Sequence, residues 1–119
     1  VCLKMKAQLR AVPKPIKNRK QKPKVAQSIM QNHKECYVTG ATQGLQRHEV
    51  FFGKGKRQLS LEWGCWVYLR WDWHTSTNYS VHLNPELNKR LKRETQKRFE
   101  EVYGRKKFTE IFGKNYLEE

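Results

Sequence analysis

The stretch GCWVYLRWDWHTSTNYSVHLNPELN, residues 64–88, decides the fold. It begins with an uninterrupted apolar run, residues 65–69, which is typical of a strand that is buried on both faces. Near its end come three residues that favour the start of a helix. Asn84 can cap a helix, Pro85 suits the first helical position, and Glu86 favours the positive end of the helix dipole. The stretch therefore predicts a buried strand followed by a helix.

The sequence after this stretch predicts two helices. Apolar residues recur at helical spacing and Gly104 supplies a stop, and a shorter helix follows that ends at Gly113. The apolar positions of the two helices are Leu87, Leu91, Phe99, Val102, Tyr103, Phe108, Ile111 and Phe112.

The sequence before this stretch predicts shorter elements. Residues 45–52 are rich in apolar and aromatic groups and predict a first strong strand. Residues 28–31 predict a short helical turn, residues 36–38 a brief strand ending at Gly40, and residues 53–57 a glycine-punctuated loop. The main elements follow the order strand, strand, helix, helix, so we expect an α+β fold.

Charge divides the chain into two parts. The 119 residues carry 25 Lys and Arg against 11 Asp and Glu, and residues 1–34 hold ten basic residues and no acidic one. Three of the four prolines lie in residues 1–27, which we expect to form a flexible basic arm ahead of one domain, residues 28–119. Such charge attracts phosphate polyanions by counterion release, so DNA is the expected partner and RNA is possible.

The sequence shows no features of a membrane or secreted protein. No apolar run is long enough to span a bilayer, and no apolar stretch follows the early lysines as a signal peptide requires, so we expect no membrane partner. Three cysteines at wide spacing fit a reducing cytoplasm better than a secreted disulfide scaffold.

Three of the four histidines lie at the edges of predicted elements. His48 is in the first strand, His74 follows the second, and His82 precedes the helix cap, whereas His33 lies in the basic linker and receives no role. Three converging imidazoles could bind one divalent ion and leave positions open for water and phosphate. Isolated histidines are more commonly polar groups with ordinary partners, so spacing alone leaves both interpretations open.

Four segments of the sequence resemble small phage and prophage proteins of the HNH endonuclease superfamily, which carry the ββα-metal fold. The segments are RHEVFFG, CWVYL, WDWHTSTNYSVHLNPELN and FEEVYGRKKFTEIFGKNYL, and the resemblance covers residues 28–117. It implies a divalent metal, either Mg²⁺ or a transition-metal ion, at His48, His74 and His82. It also implies one of two water-activating bases, Glu49 with His48 as a ligand, or His48 itself.

The zinc-binding pairs that many of these relatives carry are incomplete here. Cys36 remains, Thr39 replaces its partner, and Arg70 and Trp73 stand where the second pair would be expected. One thiolate cannot hold a tetrahedral zinc, so we expect no structural zinc. The sequence predicts that packing of the four tryptophans, at positions 63, 66, 71 and 73, takes over the stabilising role.

Basic residues on two segments are candidates for nucleic-acid contacts. The segment GKGKR, residues 53–57, lacks the spacing and the terminal Ser or Thr of a P-loop, so nucleotide binding is not expected. Its basic side chains could instead grip phosphates, or it could be a solvated turn. The candidate contacts are Lys54, Lys56, Arg57 and, on the long helix, Arg90, Arg93 and Lys97.

The sequence thus favours a phage-type DNA-binding protein with HNH-like, metal-dependent endonuclease activity in the cytoplasm of a bacterial host. The alternative is a non-catalytic factor on a degenerate HNH fold, binding nucleic acid or protein, such as a recombination accessory or an inhibitor of a host enzyme. A basic protein associated with RNA or the ribosome is a third possibility that rests on charge alone.

Overall fold

A computed structural model describes residues 24–118 of the chain. The predicted basic arm lies outside the described residues, apart from residues 24–27. Ala26 already contacts the folded part, because its amide donates to the carbonyl of Leu61 at 2.8 Å. The packed segment therefore begins slightly before the predicted boundary near residue 27.

The described residues form an α+β structure. Strand β1 (Leu45–Glu49) is followed by helix α1 (Lys56–Glu62), strand β2 (Trp66–Arg70) and the single-turn helix α2 (Trp71–His74). Helix α3 (Pro85–Tyr103), helix α4 (Arg105–Phe112) and a 3₁₀ turn (Tyr116–Glu118) complete the chain. No helix within residues 24–118 has the length and apolar character needed to cross a membrane.

The two strands form an antiparallel sheet in which His48 is paired with Val67. The pairing continues past both strand ends, with Val50 N bonded to Cys65 O at 3.0 Å and Trp71 N to Gly44 O at 2.9 Å. Strand β2 is largely buried, as its apolar run predicts. Because α2 begins directly after β2, the sheet also fixes where α2 lies.

Helix α3 has the predicted start and stop. The Asn84 side chain accepts from the backbone amides of Glu86 and Leu87, at 3.1 and 3.3 Å, and Pro85 opens the helix. Gly104 ends it and leads directly into α4. The helix buries a stripe that includes Leu91, Phe99 and Val102.

A cluster of aromatic rings, four of them phenylalanines, lies in the core. Rings of Phe51, Phe99, Phe108, Phe112 and Tyr116 pack together, with the Phe51 and Phe112 centroids 4.7 Å apart. Three of the four tryptophans are buried or half-buried and pack as predicted, whereas Trp71 is exposed, which corrects that part of the prediction. Trp63 packs on Phe99 and Tyr103, Trp66 on Tyr68, Trp73 on Tyr79, and Trp71 is exposed.

Several shorter elements differ from their predictions. Residues 28–31 form a bend, and residues 37–39 a turn closed by the Cys36 amide on Ala41 O. Strand β1 ends at Glu49, because Phe51 turns into the core and bonds Ser60 Oγ through both backbone groups. The predicted loop 53–57 becomes the start of α1, which Gly55 opens with φ +72°. Helices α1 and α2 were not predicted.

Hydrogen bonds hold residues 26–28, which precede β1, against strand β2. The Ser28 hydroxyl donates to Trp66 O at 2.6 Å, and the indole of Trp66 donates to Ala26 O at 2.8 Å. A Cβ added at Gly64 would lie 2.3 Å from the backbone oxygen of Gln27. Only glycine permits this close approach, so Gly64 sets how tightly the segment packs.

Candidate metal centre

Three separate elements bring His48, His74 and His82 together. His48 lies on β1, His74 ends α2, and His82 lies in the connection between α2 and α3. Val81 donates its amide to Trp73 O at 2.7 Å, which folds that connection back onto α2 and carries His82 with it. The convergence expected from the sequence is therefore present in the structure.

The three imidazoles form a compact group. Each residue offers a ligand nitrogen, and these nitrogens all lie within 4.8 Å of one another. The ring centroids are 5.2 Å apart for His48 and His74, 5.0 Å for His48 and His82, and 4.9 Å for His74 and His82. Nitrogens bound about 2.0–2.1 Å from a tetrahedral ion stand about 3.3 Å apart, so a modest side-chain contraction would suffice.

One nitrogen of the cluster lacks a partner. His48 is 1% exposed, and its Nε2 is buried without a hydrogen-bond partner. Buried polar atoms in native proteins are nearly always paired, so an unpaired one calls for an explanation such as an ion. The only other such side-chain atom among residues 24–118 is Asn88 Oδ1 on α3. The donor set fits a metal at this point.

Gln46 fixes the tautomer of His74. Its Oε1 lies 2.7 Å from His74 Nδ1, and an amide oxygen can only accept, so Nδ1 carries the proton and donates. The lone pair of His74 is then on Nε2. Gln46 lies two residues before His48 on β1, so both side chains project from the same strand face. A hydrogen bond of this kind orients metal-binding histidines in proteins.

The surroundings keep the three imidazoles neutral. Burial lowers the pKa of His48 to about 3, and His74, His82, Arg57 and Lys92 act in the same direction. Burial is also the main cause of the lowered pKa values of His74 and His82, to which Arg57 adds. Neutral imidazoles keep the lone pairs that a metal ion requires.

Arg57, Lys92 and the ring of Phe52 border the cluster. Of these three residues, only Arg57 was assigned a site role from the sequence. The Phe52 ring lies 5.5 Å from His82, and Lys92 Nζ lies 4.5 Å from the Phe52 centroid. Arg57 is placed over the same ring at 5.9 Å. Strand alternation from His48 could have indicated Gln46, whereas no local signal marks Phe52 or Lys92.

Glu49 lies beside the cluster and outside the group of ligands. Its carboxylate is 3.7 Å from both the Arg47 and Arg57 guanidinium groups. Strand alternation directs it to the face opposite His48. Its charge reaches His82, where it partly opposes the lowering of the imidazole pKa that burial and Arg57 cause.

The candidate phosphate contacts are divided between two regions. Lys54 is exposed just before α1, and Lys56 Nζ lies 3.5 Å from the Tyr116 hydroxyl. With Arg57, these residues share the segment that borders the histidines.

The α3 residues face elsewhere. At about 100° per residue, Arg90 and Lys97 lie roughly 160° and 140° around the helix from Lys92, away from the histidines. Arg90 pairs with Glu94 at 3.1 Å, and Arg93 donates to Tyr116 O at 3.4 Å. Arg90 and Lys97 are therefore directed away from the cluster, and Arg93 is held at Tyr116.

Cys36 is buried and separate from the histidine cluster. Its sulfur accepts from the Arg70 amide at 3.3 Å, and hydrogen bonds lower the pKa of the thiol despite the opposing effect of burial. Cys65 is buried in the core, where burial raises its pKa. Within residues 24–118 the histidine cluster is the only group of three candidate metal ligands. The absence of a structural zinc at Cys36 stays a prediction.

Comparison with known proteins adds no identity. No family model matches the chain, and no curated protein or solved structure is significantly similar to it.

Proposed function

We propose that this chain is a DNA-binding, metal-dependent phosphodiesterase of the HNH-like ββα-metal type. The observation that carries the proposal is the convergence of three neutral imidazoles, one of which, His48, has a buried Nε2 without a hydrogen-bond partner. The antiparallel pair of strands, with helices following it in the chain, is compatible with a ββα arrangement. The net charge of +14 favours a polyanionic substrate.

The donor set favours a transition-metal ion over Mg²⁺. All three candidate ligands are imidazoles, which suit Zn²⁺, Ni²⁺ and similar ions, whereas Mg²⁺ prefers oxygen ligands. His48, His74 and His82 would hold the ion. When bound, such an ion polarises a phosphoryl oxygen and stabilises the charge of the leaving oxygen.

Arg57 would stabilise the phosphate at the cluster. The charge of Arg57 lowers the pKa of all three histidines. The same charge would attract a phosphate bound at these histidines. Lys54 and Lys56 lie on the same segment and would contact flanking phosphates. Arg90 and Lys97 would contact more distant parts of the DNA.

Glu49 is the better candidate for the base that takes a proton from water. His48 is buried and its imidazole has a pKa of about 3, which makes it a weak proton acceptor near neutral pH. Although Glu49 projects from the strand face opposite His48, its charge acts on His82, the exposed member of the cluster. Under this assignment His48 is a ligand.

A non-catalytic binding factor on the same fold is the second candidate. The observation that favours it is the pairing of Glu49 with Arg47 and Arg57, because these ion pairs occupy the carboxylate that the catalytic assignment requires as the base. In that case the histidines and the basic surface would serve DNA or protein binding alone.

Plasmid nicking separates the two functions. We expect the wild type to nick supercoiled DNA with Mn²⁺, Co²⁺, Ni²⁺ or Zn²⁺, and not with EDTA. His74→Ala should abolish nicking and leave DNA affinity within about twofold, because affinity comes mainly from Lys and Arg. His33→Ala is the matched control, since His33 is exposed and outside the cluster. A wild type that nicks no DNA with any of these ions would contradict the enzyme assignment.

A further inference from the structure

Trp71 presents a large aromatic side chain to solvent. It is 52% exposed, whereas the other three tryptophans of the chain are buried or half-buried. Exposed large apolar side chains forgo hydrophobic stabilisation, and tryptophan is enriched where a binding partner covers it.

The backbone of Trp71 is held by the sheet, and its indole lies close to Gly44. The Trp71 amide donates to Gly44 O at 2.9 Å, which continues the sheet, and one edge of the indole lies against Gly44. A Cβ at Gly44 would be 3.1 Å from Trp71 Cδ1 and 3.7 Å from Nε1. The indole therefore rests on backbone along one edge and leaves much of its surface open to water.

Trp71 is also next to the histidine cluster. It begins α2 and His74 ends it, and residues three apart on a helix are neighbours about 5–6 Å apart at Cβ. Gly44 lies four residues before His48, about 14 Å along an extended chain. Stacked nucleotides are spaced about 3.4 Å apart along a strand, so the ring is within a few nucleotides of the cluster.

We propose that Trp71 is a stacking platform for an unpaired base of the DNA substrate, a few nucleotides from the phosphodiester held at the histidines. Bases inside a duplex are covered on both faces, so the platform selects single-stranded or branched DNA. The inference rests on the proposed function in requiring DNA as the ligand. It goes further by naming the substrate class and the residue that selects it.

Binding measured in EDTA tests the platform without any contribution from catalysis. Fluorescence anisotropy with labelled oligo-dT and with a labelled duplex should show that Trp71→Ala weakens single-strand binding about 5- to 100-fold. Duplex binding should change less than twofold. Trp71→Phe should retain most of the affinity, and Val38→Ala, which alters another exposed apolar residue, should retain all of it.

A second readout guards against misfolding of the alanine variant. Oligo-dT should quench part of the wild-type tryptophan emission, and Trp71→Phe should lose that quenching while keeping its melting temperature. If wild type and Trp71→Ala bind oligo-dT equally, or if both DNA forms lose affinity equally, the platform is refuted and DNA binding stands. If the wild type binds no DNA of either form, the proposed function fails as well.

Discussion

Replacing Gln46 by alanine tests whether the histidines form a metal site without changing any ligand. The variant loses the 2.7 Å bond that holds the proton on His74 Nδ1, so His74 can rotate and exchange tautomers. Loss of such a supporting bond costs about 10- to 100-fold in metal affinity, or about 1.4–2.7 kcal/mol. Gln46 is exposed, so the free energy of unfolding should change by no more than about 0.5–1.5 kcal/mol.

Calorimetric titration with Zn²⁺ or Co²⁺ measures this loss directly. Gln46→Glu supplies a carboxylate that accepts the same proton more strongly, so it should bind metal at least as tightly as the wild type. Gln43→Ala removes an exposed glutamine from the preceding bend and should have no effect. Unchanged affinity in Gln46→Ala, or an equal loss in Gln43→Ala, would refute the assignment of Gln46 as the support of His74.

Three further predictions address the base, the thiol and the basic segment. Glu49→Gln removes the proton acceptor at nearly constant shape and should slow nicking by about 10²-fold or more, whereas a small effect would assign the base elsewhere. Cys36→Ser should leave the metal content of purified protein unchanged by elemental analysis, and loss of one zinc per chain would show that Cys36 is a ligand. Deleting residues 1–23, which carry eight basic and no acidic residues, should flatten the plot of log affinity against log salt by up to about 7 units, and an unchanged slope would exclude their contact with phosphates.

The strong local signals of the sequence were sufficient for the main elements. Asn84, Pro85 and Gly104 define the ends of α3 because capping depends on residues within one turn. The buried strand and the convergence of the three histidines were predicted for similar reasons, since each histidine lies at the edge of a recognisable element.

What the sequence did not indicate depends on contacts between distant residues. Helix α1 carries the short segment KRQLSLE, and its Ser60 side chain accepts from Phe51 N and donates to Phe51 O. No local sequence pattern predicts a contact of this kind between a side chain and the backbone of another segment. The predicted packing of the tryptophans was wrong only for Trp71, whose side chain is exposed at the start of α2.

The candidate site was predicted in its ligands and missed in its surroundings. The three histidines were named from spacing and resemblance. Gln46 could have been found from its alternation with His48 on β1, whereas Phe52 and Lys92 reach the site only through tertiary packing. Arg90 and Lys97 were grouped with the site by charge, and the helical rotation of α3 places them on another face.

The most direct test of the account is the stoichiometry of metal binding at the histidines. Titration of the apo protein with Co²⁺, followed by visible absorption, should give one ion per chain. His48→Ala, His74→Ala and His82→Ala should each lose that site or weaken it by at least tenfold, while His33→Ala should retain it. A wild type that binds no ion, or three cluster variants that bind as tightly as the wild type, would contradict the claim that these histidines form a metal centre.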